Sequence, residues 1–357
     1  MNKEIQELAL QTSDVAAITP KIIADVIEDI ARHKRIWAQF FKDNRDLERN
    51  GGNQVVFPKK GSGVTATFPV SAGTGISASN MTYSAVTIDI KKGGLGLAFQ
   101  GEAIRQANRD VIRDHIEEAG EVWADTLDTV AFEAMFPSTT VSASGASTIN
   151  LGSTLPIAFK SINGTDGTLY VSSTSASSIV LADGATIAFY YVPTSSPAGT
   201  IGSKRVSITG GSLSAKDLLL LRNDIIAKKR NPDVFVIHPD LLTDILYDPA
   251  VKFLEKSAYE GEGPIFNGEI GQLWGMKVIV SNKAPKYGAV ALQSDKVGYH
   301  IIRKPLQLTR DDYTGMSMDV LYYWGFAEEN YGVVNMDAYG AVALKGTFDL
   351  SELEVQD

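Results

Sequence analysis

Four histidines have the widest chemical reach of any residues in this chain, and they stand far apart: His33, His115, His238 and His300. None forms an HExxH or HxH pair, the spacings that bring two imidazoles to one metal ion. There is no cysteine, which excludes disulfides, thiolate nucleophiles and cysteine-ligated zinc. Neither a GxSxG elbow nor a glycine-rich loop closing in GK[ST] occurs. The run GGLGLAFQG at 93–101 lacks the GxGxxG spacing of a dinucleotide loop. Asp311–Asp312 and Glu328–Glu329 are adjacent acids, and strand neighbours point to opposite faces, so neither pair is built to share a proton. Asp311 and Asp319 offer two oxygen ligands for a cation, with nothing to select that role. His115 falls on an apolar helical stripe, a packing position, and His238 precedes Pro239, a turn or helix-start position. No catalytic, metal or cofactor set emerges. The expectation is a protein that is not an enzyme and carries no cofactor.

Composition narrows the class. A hydrophobic content of 44% with 21% charged residues describes a globular chain rather than a disordered one. The net charge of −9 gives no field that draws nucleic acid to the surface. The opening MNKEIQELALQTSD has no apolar h-region, so no secretion signal is expected. No apolar run reaches the ~18 residues of a membrane span.

The elements that would position any function are clearer. Residues 102–135 predict one long helix, with Ile104, Val111, Ile112, His115, Ile116, Ala119, Trp123, Leu127, Val130, Ala131 and Ala134 recurring at steps of three and four. Thirty-four residues at about 1.5 Å each make a rod of about 50 Å. Its other face carries Arg105, Arg109, Arg113, Glu117, Glu121 and Asp125, and the heptad is too irregular for a coiled coil. Gly120 on this rod is either a close-packing point or a bend. Ahead of it, residues 51–101 alternate glycines with β-formers, a two-stranded extension. Such a hairpin is marginal alone in water and needs a partner surface, of which a neighbouring subunit is the natural candidate.

Residues 19–41 predict a helix capped by Thr19 with Pro20 in its first turn. Its basic run Arg32, His33, Lys34 and Arg35 is a solvated face offset by Asp25, Glu28 and Asp29 rather than a nucleic-acid contact. From 137 to 212 the chain turns to Ser, Thr, Gly and Ala, its only charges being Lys160, Asp166, Asp183, Lys204 and Arg205. Short β runs and the cluster Phe189, Tyr190, Tyr191 predict a small β-rich inserted domain, autonomous and dispensable, instead of a linker. Ser214 and Asp217 then open a helix as a capping box, followed by the strand VFVIH, helix starts at Pro239 and at Asp248–Pro249, and strands at 275–281, 289–293 and 298–303. That alternation is an α/β region. The chain from 305 is mostly β, and the last ten residues, FDLSELEVQD, are expected to fray.

In this order the elements resemble the HK97-like major capsid proteins of tailed double-stranded DNA viruses. The specific stretches are SLSAKDLLLLRNDIIAKKRNPDVFVIHPDLLTDIL and GPIFNGEIGQLWGMKVIVSNKAP, the latter matching a family pattern at Gly268, Ile270, Leu273, Gly275, Val278, Ser281 and Pro285. The resemblance implies an α+β, HK97-like capsid fold with an inserted β-rich domain. It implies an N-terminal arm at 1–50, an E-loop at 51–101, a peripheral-domain spine helix at 102–136, the insertion at 137–212, an axial domain at 213–300, a peripheral β-hairpin at 301–330, and an axial closing strand with acidic tail at 331–357. It further implies intersubunit contacts through Trp37, Phe40, Phe41, Phe57, Lys59, Lys60, Phe68, Tyr83, Lys91 and Lys92. Some members crosslink a loop lysine to an asparagine, for which Asn330 and Asn335 are the late-chain acceptors here. The implied function is self-assembly, through hexamers and pentamers, into an icosahedral shell around viral DNA. The implied partners are a separate scaffolding protein, a portal and a decoration protein, with no membrane and no sequence-specific DNA contact. The implied location is the virion, after assembly in the host cytoplasm. The alternatives are an encapsulin-type cellular compartment and, from another class, a surface adhesin or carbohydrate-binding protein working through 137–212.

Overall fold

The computed structural model describes residues 20–60, 68, 80–101, 111–142, 147–152, 154, 156–164, 167–171, 177–191, 213–246, 253–255, 269–311, 319–343 and 346–356. The expectations placed on Thr19, residues 102–110, Asp248–Pro249 and Gly268 lie outside them.

Helix α1 (Pro20–Lys34) buries Ile23, Ala24, Ile27 and Ala31, one face at steps of three and four. It ends at Lys34, short of the expected residue 41. A single 3-10 turn at Ala38–Phe40 follows, and β1 (Phe41–Asn44) is already strand. After the short α2 (Asp46–Arg49) come β2 (Gln54–Lys60) and β3 (Tyr83–Asp89), which pair antiparallel as a two-stranded sheet. β4 (Lys91–Gln100) leads to the rod helix α3 (Val111–Met135), whose Ala119, Trp123, Ala124, Leu127 and Ala131 are buried. His115 is exposed, with its ring 5.7 Å from that of Phe99, so it is a rim residue and not a packed one.

The insertion supplies β5 (Ser138–Ser142), β6 (Ser147–Gly152), β7 (Pro156–Asn163), β8 (Gly167–Val171), β9 (Ser177–Leu181) and β10 (Thr186–Tyr191). Helix α4 (Ala215–Ala227) opens on the expected capping residues: Asp217 accepts from the Ser214 N–H at 3.3 Å and from its hydroxyl at 2.8 Å. β11 (Val234–Ile237), α5 (Pro239–Leu246), β12 (Phe253–Glu255), β13 (Glu269–Leu273), β14 (Met276–Val280) and β15 (Ala289–Leu292) follow. The chain closes with the 14-residue strands β16 (Gly298–Asp311) and β17 (Val320–Val333), then β18 (Tyr339–Val342) and β19 (Gly346–Asp349).

Two sheets organise the body. One is four-stranded, in the order β1-β16-β17-β4, with β1 parallel to β16 and the rest antiparallel. The long hairpin therefore runs over 298–333 instead of 301–330, because the strand at 298–303, expected in the α/β region, is the first half of β16. β4 was expected within a loop lacking a local core. It is instead paired along β17 from Gln100 opposite Val320 to Lys91 opposite Glu329, with Leu97 and Phe99 buried. β2 and β3 form a two-stranded sheet of their own. The second sheet is six-stranded, β12-β13-β14-β11-β15-β18, with β11 parallel to β14. Its central strands VFVI and AVAL are buried on both faces. Leu218, Leu221 and Ile225 of α4 and Leu241 and Ile245 of α5 cover one face. Val234, Val236, Val290 and Leu292 on the other join the core that holds α1 and α3.

The insertion folds as two small sheets, β5-β10-β7 and β19-β8-β9-β6. The second contains β19, from the tail expected to fray, and pairs it with β8. Leu350 and Leu353 are buried, Val355 bridges Phe159, and the Gln356 N–H donates to the Phe159 carbonyl at 2.8 Å. Nor is the block autonomous: Ile157 and Phe159 belong to the same apolar core as Trp37 and Phe136. The cause is the same at both ends. The insertion's sheets are too small to bury their own inner faces, and the tail's two leucines fill what is left.

Two outcomes follow from this packing. Ending the chain after Ala343 should lower the thermal midpoint of the whole subunit and expose residues 147–181 to protease, since β19, Leu350 and Leu353 leave together; an unchanged midpoint would show the tail to be an ornament. At the α1–α3 crossing, a Cβ on Gly120 would lie 2.8 Å from Ile30 Cγ2 and 2.9 Å from Ile30 Cβ, so Gly120 is a close-packing point. Gly120→Ala should destabilise the subunit, because overpacking costs about 1–3 kcal/mol while the gain in helix propensity is about 1 kcal/mol. A melting midpoint at or above wild type would show that α1 can draw back.

Candidate functional site

With no catalytic set in the sequence, the candidate sites are surfaces, and the first question is which residues remain free to form them. Trp37, Phe40 and Phe41 do not: their exposures are 1%, 0% and 5%. The chain leaves α1 by a turn whose N–H groups at Ile36, Trp37 and Ala38 all donate to the carboxylate of Asp128 on α3, at 2.8–3.0 Å. That turn drives the Trp37 ring among Phe40, Phe132 and Phe136, and its Nε1–H donates to the Lys283 carbonyl at 3.0 Å. Phe41 meets Tyr331 edge to face at 5.3 Å. These three aromatics are subunit core, a correction to their expected role as contacts. Burial raises the Asp128 pKa, against the pull of the three N–H donors and Lys283.

The β2–β3 hairpin divides by face. Val55, Phe57 and Ile88 turn inward on Tyr299 and Ile301, with Phe57 stacked on Tyr299 at 4.5 Å. Phe57 is thus an anchor of the stalk. The opposite face presents Val56, Pro58, Tyr83, Ala85 and Thr87, all exposed, Tyr83 by 72%. Phe68, beyond β2, is 96% exposed. Lys59 and Lys60 end β2 opposite Ser84 and Tyr83. Lys91 and Lys92 open β4 just past the base of the hairpin, opposite Glu329 and Glu328, and Lys92 Nζ sits 4.2 Å over the Phe326 ring.

A second apolar surface escaped the sequence reading. On the outer face of the four-stranded sheet, Tyr322, Trp324 and Phe326 form a row along β17, with the Tyr322 and Trp324 rings stacked at 5.8 Å. Trp324 is 42% and Phe326 43% exposed. The row lies across β4 where its side chains are smallest, opposite Ala98, Gly96 and Gly94. A Cβ on Gly96 would meet Trp324 Cζ3 at 3.0 Å. The clue was there: alternate aromatics in YYWGF facing a strand with alternate glycines in GGLG.

The polar groups are structural. His300 is buried between Asp43 Oδ1, 2.9 Å from Nδ1, and Glu329 Oε2, 2.8 Å from Nε2. His238 Nδ1 accepts from the Asp240 N–H at the start of α5, the helix-start role its place before Pro239 suggested. The buried Asn330 amide donates to the Asp89 carbonyl at 2.7 Å, and Asn335 accepts from Arg230 at 3.3 Å. Asn330 is therefore closed to a lysine from outside. Glu328 and Glu329 face opposite sides, toward Arg303 and His300 respectively. Asp311 accepts from Trp324 Nε1. Among the described residues no three His, Asp or Glu side chains gather as a metal set.

Among the described residues the hairpin's outer face and the aromatic row of β17 stay exposed in an α+β body. The model of the phage capsid protein family matches residues 83–344. The chain belongs to that family. Solved structures agree in fold. The capsid asymmetric unit of cyanophage Pam1 has a TM-score of 0.54 at 9% identity, covering 86% of this chain and 89% of that one. The capsid of Ralstonia phage GP4 gives 0.53 at 11%, covering 86% and 88%, and Mycobacterium phage Che8 gives 0.51 at 12%, covering 87% and 91%. No curated protein matches the chain. It is a major capsid protein with an HK97-like fold, a structural component of the virion's icosahedral shell that self-associates. The compartment and adhesin readings gain no support.

The capsid protein's internal joint has a direct test. Asp128→Ala leaves three backbone donors buried without acceptors, each costing about 1–3 kcal/mol, so the subunit should lose at least about 3 kcal/mol in urea denaturation. Asp128→Asn keeps one acceptor oxygen and should lose clearly less. Equal losses would show that packing rather than hydrogen bonding holds the turn.

Proposed function

We propose that the capsid protein assembles by laying its β2–β3 hairpin, as an E-loop, across a neighbouring copy, and that repetition of this contact closes hexamers and pentamers. The observation that carries this reading is a pair of uncovered apolar surfaces on one subunit. One is the outer face of the hairpin, with Val56, Pro58, Tyr83 and Ala85; the other is the aromatic row Tyr322, Trp324 and Phe326. Neither covers the other within the chain, since Tyr83 is 72% and Trp324 42% exposed. A heterologous contact between copies buries both and closes a ring. Of the contact residues expected from sequence, Phe68, Tyr83, Lys59 and Lys60 remain candidates on this scheme. Lys91 and Lys92 would contribute from the receiving sheet.

In this scheme α3 is the spine helix, the four-stranded sheet the peripheral domain, and the six-stranded sheet with α4 and α5 the axial domain. The shell encloses DNA without reading its sequence, and the net charge of −9 keeps the lining from gripping phosphate. Assembly takes place in the host cytoplasm with a separate scaffolding protein, a portal and a decoration protein as partners. The protein catalyses nothing.

Removing residues 60–85 keeps the anchors Val55, Phe57 and Ile88. That variant should fold with a near-normal melting midpoint yet form no shells by negative-stain microscopy. Trp324→Ala should fold and assemble only at higher protein concentration. Shells of normal size and yield from the deletion would overturn the proposal.

A further inference from the structure

His300 joins three strands that the chain brings together from far apart. It stands on β16, meets Asp43 of β1 at 2.9 Å and Glu329 of β17 at 2.8 Å, and lies flat on the Tyr331 ring at 4.2 Å and 5°. Ionised carboxylates only accept hydrogen bonds, so both contacts are made together when each ring nitrogen carries a proton, the imidazolium form. β1 is only four residues long, an edge strand added in parallel, and it leads directly into α2 and the hairpin. The hairpin's stalk rests on the same ground. Phe57 stacks on Tyr299, next to His300, and Ile88 fills the space over Gly332, the register partner of Tyr299.

We infer that His300 is a proton-operated latch: as an imidazolium it ties β1 to β17, and its deprotonation loosens β1 and the hairpin stalk from the long-hairpin sheet. A neutral imidazole has one N–H, so one of the two contacts becomes a lone pair against a carboxylate. The surrounding charges are mixed: carboxylates favour the imidazolium and arginines oppose it. From α1 come Glu28, Arg32 and Arg35; from β1, Asp43 with Arg45 just beyond; from β17, Glu329 and the buried Tyr331 phenol; from α3, the more distant Asp128. Arg45 also pairs with Glu48 of α2, and Arg303 of β16 is taken up by Glu328. Losing the imidazolium removes the group that bridges Asp43 and Glu329, while Glu28 stays with the Leu306 N–H.

Burial opposes the imidazolium, but the hydrogen bonds and charges of Asp43 and Glu329 outweigh it and hold the His300 pKa above its ordinary 6.5. Its stabilisation is complete below 6.5 and is lost as pH rises through the higher folded value. The His300 hydrogen bond holds Asp43 below its ordinary 3.8, so that share is present above 3.8 and is lost as pH falls through the lower folded value. Glu28 is raised by burial and adds negative charge to the cluster as pH rises. The latch is thus firm below 6.5 and opens as pH rises through the higher folded value.

The latch belongs to the subunit and rests on the assembly reading only for its consequence in shells. Hydrogen exchange of the full-length chain, followed by mass spectrometry and corrected for intrinsic rates, tests it separately from assembly. Between about pH 6 and about pH 9, protection over 41–49 and 54–57 should fall by about tenfold or more while α3 stays unchanged. His300→Gln should be weakly protected there at both pH values, without the step. Asp43→Asn, whose amide can donate to a neutral ring, should move the step to lower pH and serves if His300→Gln does not fold. A wild-type protein without the step, or a His300→Gln variant that keeps it, would overturn the latch. Loss of shells in the hairpin deletion bears only on the assembly reading.

Discussion

One carboxylate holds the subunit's parts in register. Asp128 sits in the middle of the rod helix with 1% exposure, where a charge is costly unless its oxygens are satisfied. They are satisfied by three consecutive N–H groups at the exit of α1, about ninety residues earlier in the chain, with Lys283 Nζ 3.5 Å away. The turn so formed does two things at once. It stops α1 at Lys34, so the helix lies along α3 instead of running on as a free arm. It also inserts Trp37, whose indole N–H reaches Lys283 and so ties the rod to the loop after β14. First segment, spine and six-stranded sheet meet at this joint.

From it the core spreads without a break into the insertion. The Tyr339 hydroxyl donates to the Met135 carbonyl at 2.8 Å, Phe136 meets Tyr339 edge to face, and Phe159 packs on Tyr287. Tyr287 in turn donates its N–H to Ile157, and its hydroxyl accepts from the Glu354 N–H. The block at 137–212 differs from its surroundings in composition, and that contrast is real. A change of composition nevertheless marks a change of surface, not a boundary in the core: Ser and Thr cover the outside while Ile157, Phe159, Ile179 and Phe189 are fully buried.

This explains which parts of the fold were legible in the sequence. Periodicity exposed α3, and short apolar runs exposed the strands VFVI and AVAL, because each depends on neighbours within a few residues. The capping box at Ser214 and the helix start at Pro239 were legible for the same reason. Trp37, Phe40 and Phe41 were not, since an apolar run looks the same on a sticky arm and in a core, and the residue that decides, Asp128, is remote in sequence. β4, with its glycines, was placed in the two-stranded extension rather than in the body's sheet. Their cause is space for rings: a Cβ on Gly93 would lie 2.9 Å from the Trp123 ring, and Gly96 lies under Trp324. The tail was misjudged from its acids, although Leu350 and Leu353 alternate with them as a bound segment would. His300 gave no local signal at all, since its partners come from two other strands.

The hairpin combines two properties that rarely coexist in a short β-ribbon, an anchored base and an uncovered face. A two-stranded sheet held by nothing would sweep through many directions and lose that freedom on every contact. Here Phe57 on Tyr299 and Ile88 over Gly332 hold the ribbon against the open end of the long hairpin. If the ribbon is the intersubunit element, most of the ordering cost is met inside the subunit before a neighbour arrives. The neighbour then has only to supply apolar cover for Val56, Pro58, Tyr83 and Ala85. The angle between copies would in that case be set by the register of β16 against β1 and β17, which is where His300 sits. Subunit stability and shell curvature would share one small piece of structure, and a change in its charge would reach both.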